Sequence, residues 1–553
     1  MASSDISARA RYGLTIASRR RTMTLFSIVF FRVQDSNLVR LRHAAIVKTR
    51  PVPEARHSRT RGPGAATTTS QACQIRPRRR LSAHAYACHR PCADGTVKWR
   101  TNFRGAAAAR PAPAIATPPA RHARPRSLNK AIATMQDSPG FPITRLERAV
   151  QYLLLLALFC VPFSTWLTNV FAGCCVLCFG AAVATSAPLR AVLRTPPALL
   201  AIGLLALLAL GASWSIGPPA DIGSALKKYA RLLVLPIAVA TSLRDPGMPA
   251  RALAAFFGGA AVLASSNYLV WHDLMPASSE GWWRIGTATD SFSFKNHITI
   301  GILLSFATVT CLLGATYVQG TRARVACVAA GILFSVPIIF LNQGRTGYVT
   351  LFVGMVVLFL LRVRFTPLRT TFGLAAIVLL FVGFYASSNN FKQRTDDLIT
   401  EVRTDQKRSP NGLRMSYLRV GTGIVAAHPL AGLGTGSFAE VYAPTALRDW
   451  PEDELGHTRH QPHSEFLLIA AQLGVPGLLL YFAMLASLLR PALRTRSFHA
   501  DALVLLWVIY VVSSSFNSLL WDVTEAYWFL LLAGSLYASA RHQAQPALRP
   551  AAP

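Results

Sequence analysis

The sequence predicts an all-α polytopic membrane protein, and three observations carry that expectation. The 553 residues are 52% hydrophobic and only 15% charged, the balance of a chain whose helices face lipid and one another. From residue 149 onward, apolar runs follow one another through short connections. A single long polar insert, 389–464, interrupts them.

The first quarter of the chain stands apart. The net charge of +33 invites a nucleic-acid reading, but residues 1–134 hold 26 of the 57 Lys/Arg and 4 of the 24 Asp/Glu. This stretch is rich in Arg, Ala, Pro, Ser and Thr, without sustained apolar periodicity. It reads as a disordered basic segment, or as translated GC-rich non-coding sequence ahead of a natural start near Met135. No nucleic-acid partner is expected; membrane lipids are. The apolar run 24–31 follows Arg19, Arg20 and Arg21, but Arg32 comes next with no small-residue cleavage site, so it is not a signal peptide. Cys73, Cys88 and Cys92, with His84 and His89, match no standard zinc spacing. The other cysteines lie in apolar runs and read as small core residues.

A spanning helix needs about 20 apolar residues. Runs near 149–163, 165–187, 197–214, 229–243, 250–272, 297–318, 324–341, 346–365, 370–388, 465–489, 501–518 and 523–540 give about twelve transmembrane helices. Alternate connections carry the Lys/Arg excess: Arg145/Arg148, Arg190/Arg194, Arg244/Arg251, Arg322/Arg324, Arg362/Arg364/Arg369, Arg490/Arg494/Arg496 and Arg541/Arg549. The positive-inside rule places these in the cytoplasm, with both termini. The insert then lies on the far side, periplasmic in a Gram-negative inner membrane. The expected organisation is spans one to nine in 135–388, a periplasmic catalytic loop at 389–464, spans ten to twelve in 465–540, and a cytoplasmic tail at 541–553.

Within the insert, 391–408 mixes charges with Leu398, Ile399 and Val402 and reads as a surface helix. Ser409-Pro410-Asn411-Gly412 reads as a turn. Residues 413–428 read as a second helix ended by Pro429. The run Gly432, Gly434, Gly436 reads as a tight turn with close backbone approach, and 450–463 as irregular chain.

Basic residues at the periplasmic ends of spans oppose the orientation rule, which makes them functional candidates. Arg345 sits between Gly344 and Gly347, which clear space around it. A guanidinium there can grip a phosphate through two parallel hydrogen bonds, or simply snorkel at the interface. Arg414 opens the second loop helix, where one Arg is by itself an ordinary solvated side chain. Lys227, Lys228 and Arg231 lie within a turn, with 227/231 and 228/231 able to share a face. They suit an anionic head group, a substrate pyrophosphate or plain lipid anchoring. His463, after Pro462, can accept a proton near neutral pH or cap the tenth span. His457, Arg459 and His460 are its neighbours. Asp396/Asp397 and Glu452/Asp453/Glu454 are the acidic clusters of the insert. Such pairs can bind a hard cation, but solvated edges are commoner, and no metal is expected. No Walker motif, dinucleotide fingerprint or nucleophile elbow occurs, and no cofactor is expected.

Three motifs occur in a fixed order. Gly344-Arg345-Thr346-Gly347-Tyr348 comes first. Arg414 then precedes Ala427-His428-Pro429-Leu430-Ala431-Gly432-Leu433-Gly434-Thr435-Gly436-Ser437-Phe438. Last comes His463-Ser464-Glu465-Phe466-Leu467, followed by Gln472-Leu473-Gly474-Val475-Pro476-Gly477-Leu478. Together these resemble the O-antigen ligase/polymerase superfamily, and among its members the lipopolysaccharide O-antigen ligases, over 140–540. The resemblance implies a membrane-embedded, GT-C-like glycosyltransferase, metal-independent and inverting. It implies a glycan donor on undecaprenyl pyrophosphate and a sugar hydroxyl of lipid A–core as acceptor. It maps the functional residues onto Arg345, Arg414 and His463, with Arg459, His460 and Ser464 beside them. Ser464 stands where the family usually has Asn, and it still donates or accepts a hydrogen bond.

An O-antigen polymerase or a protein O-oligosaccharyltransferase shares this donor and differs in acceptor. A transporter or lipid flippase is the rival from another class. It predicts charges near span centres and an internal repeat; the basic residues sit instead at span ends, and no repeat is evident.

Overall fold

A computed structural model describes residues 143–275, 285–363, 366–404, 409–449 and 460–544, all within the unit 115–553. The segment 1–134, Arg459 and the acids at 452–454 lie outside the described residues. Among those described, the regular structure is helical, with one isolated bridge between Thr287 and Asp290.

In chain order the helices are α1 (Arg145–Cys160), α2 (Thr165–Thr185), α3 (Ala187–Val192) and α4 (Pro196–Gly211), which runs on as a 3-10 turn to Trp214. Next come α5 (Pro219–Tyr229), a 3-10 turn Ala230–Leu233, α6 (Val234–Arg244), α7 (Met248–Trp271) and α8 (His297–Ala315). α9 (Thr321–Val336) closes in a π turn, Pro337–Leu341, before α10 (Arg345–Arg362) and α11 (Pro367–Ser387). α12 (Asn389–Arg403), α13 (Pro410–Ala427) and α14 (Phe438–Asp449) form the insert. α15 (Glu465–Ala492), α16 (Phe498–Ser514) and α17 (Val523–Ala544) close the bundle.

Eight of these helices are long and apolar enough to cross a membrane: α2, α4 with its 3-10 turn, α7, α8, α9 with its π turn, α10, α11 and α15. The predicted all-α polytopic membrane class therefore holds. The other four predicted spans coincide with α1, α6, α16 and α17. α6 is the informative one. Its 11 residues rise only about 16 Å, half the hydrocarbon thickness. Residues 234–243 are all buried, packed on α4 and α17. A short helix is tolerated at membrane depth when protein, not lipid, surrounds it. α8 is the central post, 78% of its apolar window being enclosed, whereas α11 is a rim helix with 6% enclosed.

Polar contacts between helices mark the two ends of the bundle. At one, Glu147 in the first turn of α1 meets Arg244 at the end of α6 (3.4 Å), and Asp501 on α16 meets Arg362 at the end of α10 (3.4 Å). At the other, here the loop end, Lys295 before α8 donates to Thr165 at the start of α2 (2.6 Å) and to Thr524 on α17 (2.8 Å). The insert packs at the loop end.

The insert differs in detail from the sequence expectation. The predicted turn 409–412 is the first turn of α13. Ser409 is its N-cap, accepting from the Gly412 N–H at 3.0 Å, and Pro410 fills the N1 position, where a missing N–H is harmless. α14 follows the glycine run, where sequence reading placed no element.

α15 was expected as one continuous span; it breaks at Gly474, whose φ is +67°. Pro476 has no N–H to give the Gln472 carbonyl four residues back, and the Val475 N–H turns away to Pro429 O at 2.7 Å. The two carbonyls so freed, Ala471 and Gln472, accept from Leu433 N and Gly434 N at 2.9 Å each. The glycine run thus repairs the broken helix, as buried backbone at membrane depth requires. The predicted close approach is real. An added Cβ at Gly434 (φ +88°) would lie 2.2 Å from Ser215 Cα, and one at Gly432 (φ +63°) 2.5 Å from the Gln472 carbonyl carbon.

Candidate active site

Arg345 is the first residue of α10, and its placement is set by small residues. An added Cβ on Gly344 would meet His297 O at 2.6 Å, and one on Gly347 would meet Gly301 Cα at 2.9 Å. The glycines therefore let the N-termini of α8 and α10 touch, with Arg345 at the junction. Its guanidinium grips Glu401 of α12 in a fork: Nη1 to Oε2 at 3.0 Å and Nη2 to Oε1 at 2.8 Å. Asp397, one turn earlier, stands 3.9 Å from the same guanidinium. The Asn411 amide of α13 donates to Glu401 Oε2 at 2.6 Å. Arg345 draws the Glu401 carboxyl below the ordinary glutamate range, chiefly through that hydrogen bond.

Arg414 lies one helical turn after Asn411, half-buried. Burial and the nearby positive charge of Arg345 both lower its pKa, while Glu401 opposes them. No carboxylate stands within ion-pair distance of Arg414 among the described residues. Two guanidiniums from separate helices thus lie within electrostatic reach of each other, and among the described residues Arg345 is the one of the two paired with a carboxylate.

His463 packs on Tyr417 of α13, the helix that carries Arg414. Arg414 and Tyr417 are three apart on α13 and so share a face. The Tyr417 ring lies 5.6 Å from the His463 ring and packs on Tyr442 (4.6 Å) and Phe438 (6.2 Å) of α14. His463 has φ +49°, a left-handed conformation that costs a non-glycine residue about 1–3 kcal/mol unless its surroundings impose it. The chain is fixed on both sides of it. Pro462 is buried before it, and Ser464 after it caps α15 by accepting from Leu467 N at 3.5 Å.

The remaining predicted residues separate. Lys227 is exposed. Lys228 lies 3.6 Å from the centre of the Trp521 ring, and burial lowers its pKa to about 8. Arg231, on the 3-10 turn, donates to Trp521 O at 3.0 Å. Lys228 and Arg231 thus converge on Trp521, in the chain before α17. His460 is exposed and approaches Asp221 of α5 at 3.3 Å. Asp396 accepts from Tyr385 Oη at 2.6 Å and Asp397 pairs with Arg394 at 3.5 Å, so these acids are engaged by protein groups. No group of three or more His, Cys, Asp or Glu that could hold a metal ion occurs among the described residues.

Sequence reading missed the network beneath His463. Glu465 is fully buried and accepts from Leu520 N (2.8 Å), Trp521 N (3.4 Å) and Tyr229 Oη (3.3 Å). Gln472 donates to Tyr229 Oη at 3.2 Å, and its Oε1 accepts from Gly436 N at 2.8 Å. One chain of hydrogen bonds so ties the glycine run, α5, α15 and the approach to α17. His297 was also missed: it opens α8 against Gly344, within electrostatic reach of Asp290, Arg394 and Arg414.

The fold and the site define a multi-pass membrane protein with two arginines and a histidine gathered at one end of its bundle. Residues 329–482 match the family model described as O-antigen ligase, which supports the resemblance read from the motifs. The matched stretch contains Arg345, Glu401, Arg414 and His463, and it excludes Lys228 and Arg231. Compared with curated proteins, the chain finds no match.

Proposed function

We propose that the chain is an O-antigen ligase of lipopolysaccharide biosynthesis, transferring a glycan from undecaprenyl pyrophosphate to a sugar hydroxyl of lipid A–core. The family match supports function of the O-antigen ligase or polymerase type. The observation that carries the chemistry is the Arg345 fork on Glu401 with the Arg414 guanidinium within electrostatic reach of both, and His463 packed on Tyr417 of the same helix as Arg414.

The donor's leaving group is a diphosphate, whose charge grows as the glycosidic bond breaks. Arg345 and Arg414 supply fixed positive charge for it, and a guanidinium fork suits phosphate oxygens. His463 takes the proton from the acceptor hydroxyl. Direct displacement at the anomeric carbon inverts its configuration. The lipid diphosphate is already activated, so no nucleotide is consumed. Lys228 and Arg231 lie outside the matched domain and serve as a secondary anionic contact for donor or lipid. In this reading the loop end is periplasmic, in the inner membrane.

The test is transfer by purified protein with lipid-linked donor and lipid A–core. Wild type should extend the acceptor, and His463→Ala and Arg345→Ala should not. A deletion strain separates the acceptors. Loss of the O-antigen ladder with accumulated lipid-linked polymer marks a ligase, and a single-repeat band marks a polymerase. Unchanged lipopolysaccharide with unglycosylated proteins marks a protein glycosyltransferase.

A further inference from the structure

We infer that Glu401 holds the diphosphate's place on Arg345 when the site is empty and yields that place to the donor. The inference rests on the reading of Arg345 as a phosphate ligand. Both terminal nitrogens of Arg345 are engaged by the two carboxylate oxygens of Glu401, at 3.0 and 2.8 Å. That parallel geometry is the one a guanidinium offers a phosphate. The same two N–H groups cannot serve both partners, so a diphosphate reaching the fork must displace the carboxylate.

Three further observations favour exchange over a permanent strut. Arg414 stands beside the pair with no carboxylate at ion-pair distance among the described residues, so the incoming anion meets one uncommitted guanidinium first. Glu401 has an alternative donor in the Asn411 amide, at 2.6 Å from Oε2, which can keep the carboxylate once Arg345 leaves it. Asp397, 3.9 Å from Arg345 and 3.5 Å from Arg394, can pass to Arg394 alone. The carboxylate's resting role is clear from charge. At the N-terminus of α10 the helix dipole disfavours a cation, and Glu401 offsets both that and the repulsion between Arg345 and Arg414.

The experiment is calorimetric titration of inorganic pyrophosphate into the full chain in detergent. Wild type, Glu401→Gln, Asn411→Ala, Arg345→Ala and the Arg345→Ala/Glu401→Gln double variant are compared. Glu401→Gln, which keeps the shape and removes the competing charge, should bind pyrophosphate about three- to tenfold more tightly than wild type. Asn411→Ala, which takes away the carboxylate's alternative donor, should bind it more weakly. The gain from Glu401→Gln should vanish when Arg345 is already Ala. Equal or weaker binding by Glu401→Gln overturns the inference and leaves Glu401 a strut for Arg345. If wild type binds pyrophosphate and Arg345→Ala binds it equally well, the phosphate reading of Arg345 fails as well. If neither wild type nor Glu401→Gln binds, both fall together.

Discussion

The Gln472 carbonyl accepts from the Gly434 N–H at 2.9 Å, in the place that Pro476 leaves vacant. This bond joins the break in α15 to the turn that carries α14, and it makes the two motifs one structural unit. Gly434 is held to glycine twice over, by its φ of +88° and by Ser215, whose Cα would lie 2.2 Å from an added Cβ. Gly434→Ala is therefore expected to lose at least about 2 kcal/mol of stability, read as a lowered unfolding midpoint in detergent. Gly423, inside α13 with nothing within 4 Å of an added Cβ, is the control. Gly423→Ala should be neutral or gain about 0.5–1 kcal/mol.

Buried carboxylates reward a different substitution. Glu465 serves two backbone N–H groups and the Tyr229 hydroxyl. Glu465→Ala strands those N–H groups and should cost about 3 kcal/mol or more. Glu465→Gln keeps an acceptor for the backbone and can donate to Tyr229, so it should remain folded with a much smaller loss. Equal losses from the two variants would show that side-chain volume, not hydrogen bonding, fixes this loop.

For the proposed transfer reaction, Arg345→Ala is expected to lower kcat by about a hundredfold or more, the usual loss when one preorganised charge on a leaving group goes. Arg345→Lys should recover little of it, because an ammonium cannot reproduce the two parallel bonds. His463→Ala should lower kcat by about 10²–10⁴-fold with little change in donor KM. A large rise in KM at unchanged kcat would assign His463 to binding instead.

Lys228 sets a pH dependence. Burial lowers its pKa to about 8 from an ordinary 10.5, so it is charged below pH 8 and neutral above. If it contacts the donor, KM should rise as pH passes through about 8, and Lys228→Arg should move that rise to much higher pH because Arg keeps its proton. The sign for stability is opposite. The folded pKa lies below the unfolded one, so the charged side chain opposes folding below pH 8, and stability recovers as pH climbs toward 10.5. Comparing unfolding midpoints of wild type and Lys228→Met across that range checks it.

The residues legible in the sequence were those whose chemistry conflicts with their surroundings. Arg345 opposes the orientation rule, and Arg414 and His463 sit in motifs with fixed order. Glu401 was hidden because it is one charge among several on an amphipathic helix, and only the docking of α12 on α10 selects it. Tyr229 and Gln472 lie 243 residues apart, so nothing local announces their bond. The break in α15 did carry a signal, Gly474 two residues before Pro476, which apolar composition masked. α6 was read as a span, though a short one, because hydropathy cannot tell a lipid-facing helix from one enclosed by protein.

The break at Gly474 has a mechanical consequence. It divides α15 into an upper piece, 465–473, clamped by Glu465 and Gln472 to the rest of the loop end, and a lower piece that runs through the apolar layer. The non-helical backbone at Gly474 lets the two pieces take different directions. When bilayer thickness changes, the lower piece can lean to match it while the upper piece, with His463 directly ahead of it, keeps its distance from Arg414. On the proposed reading of the site, the spacing of His463 and Arg414 is then set by the upper piece and not by the tilt of the lower one.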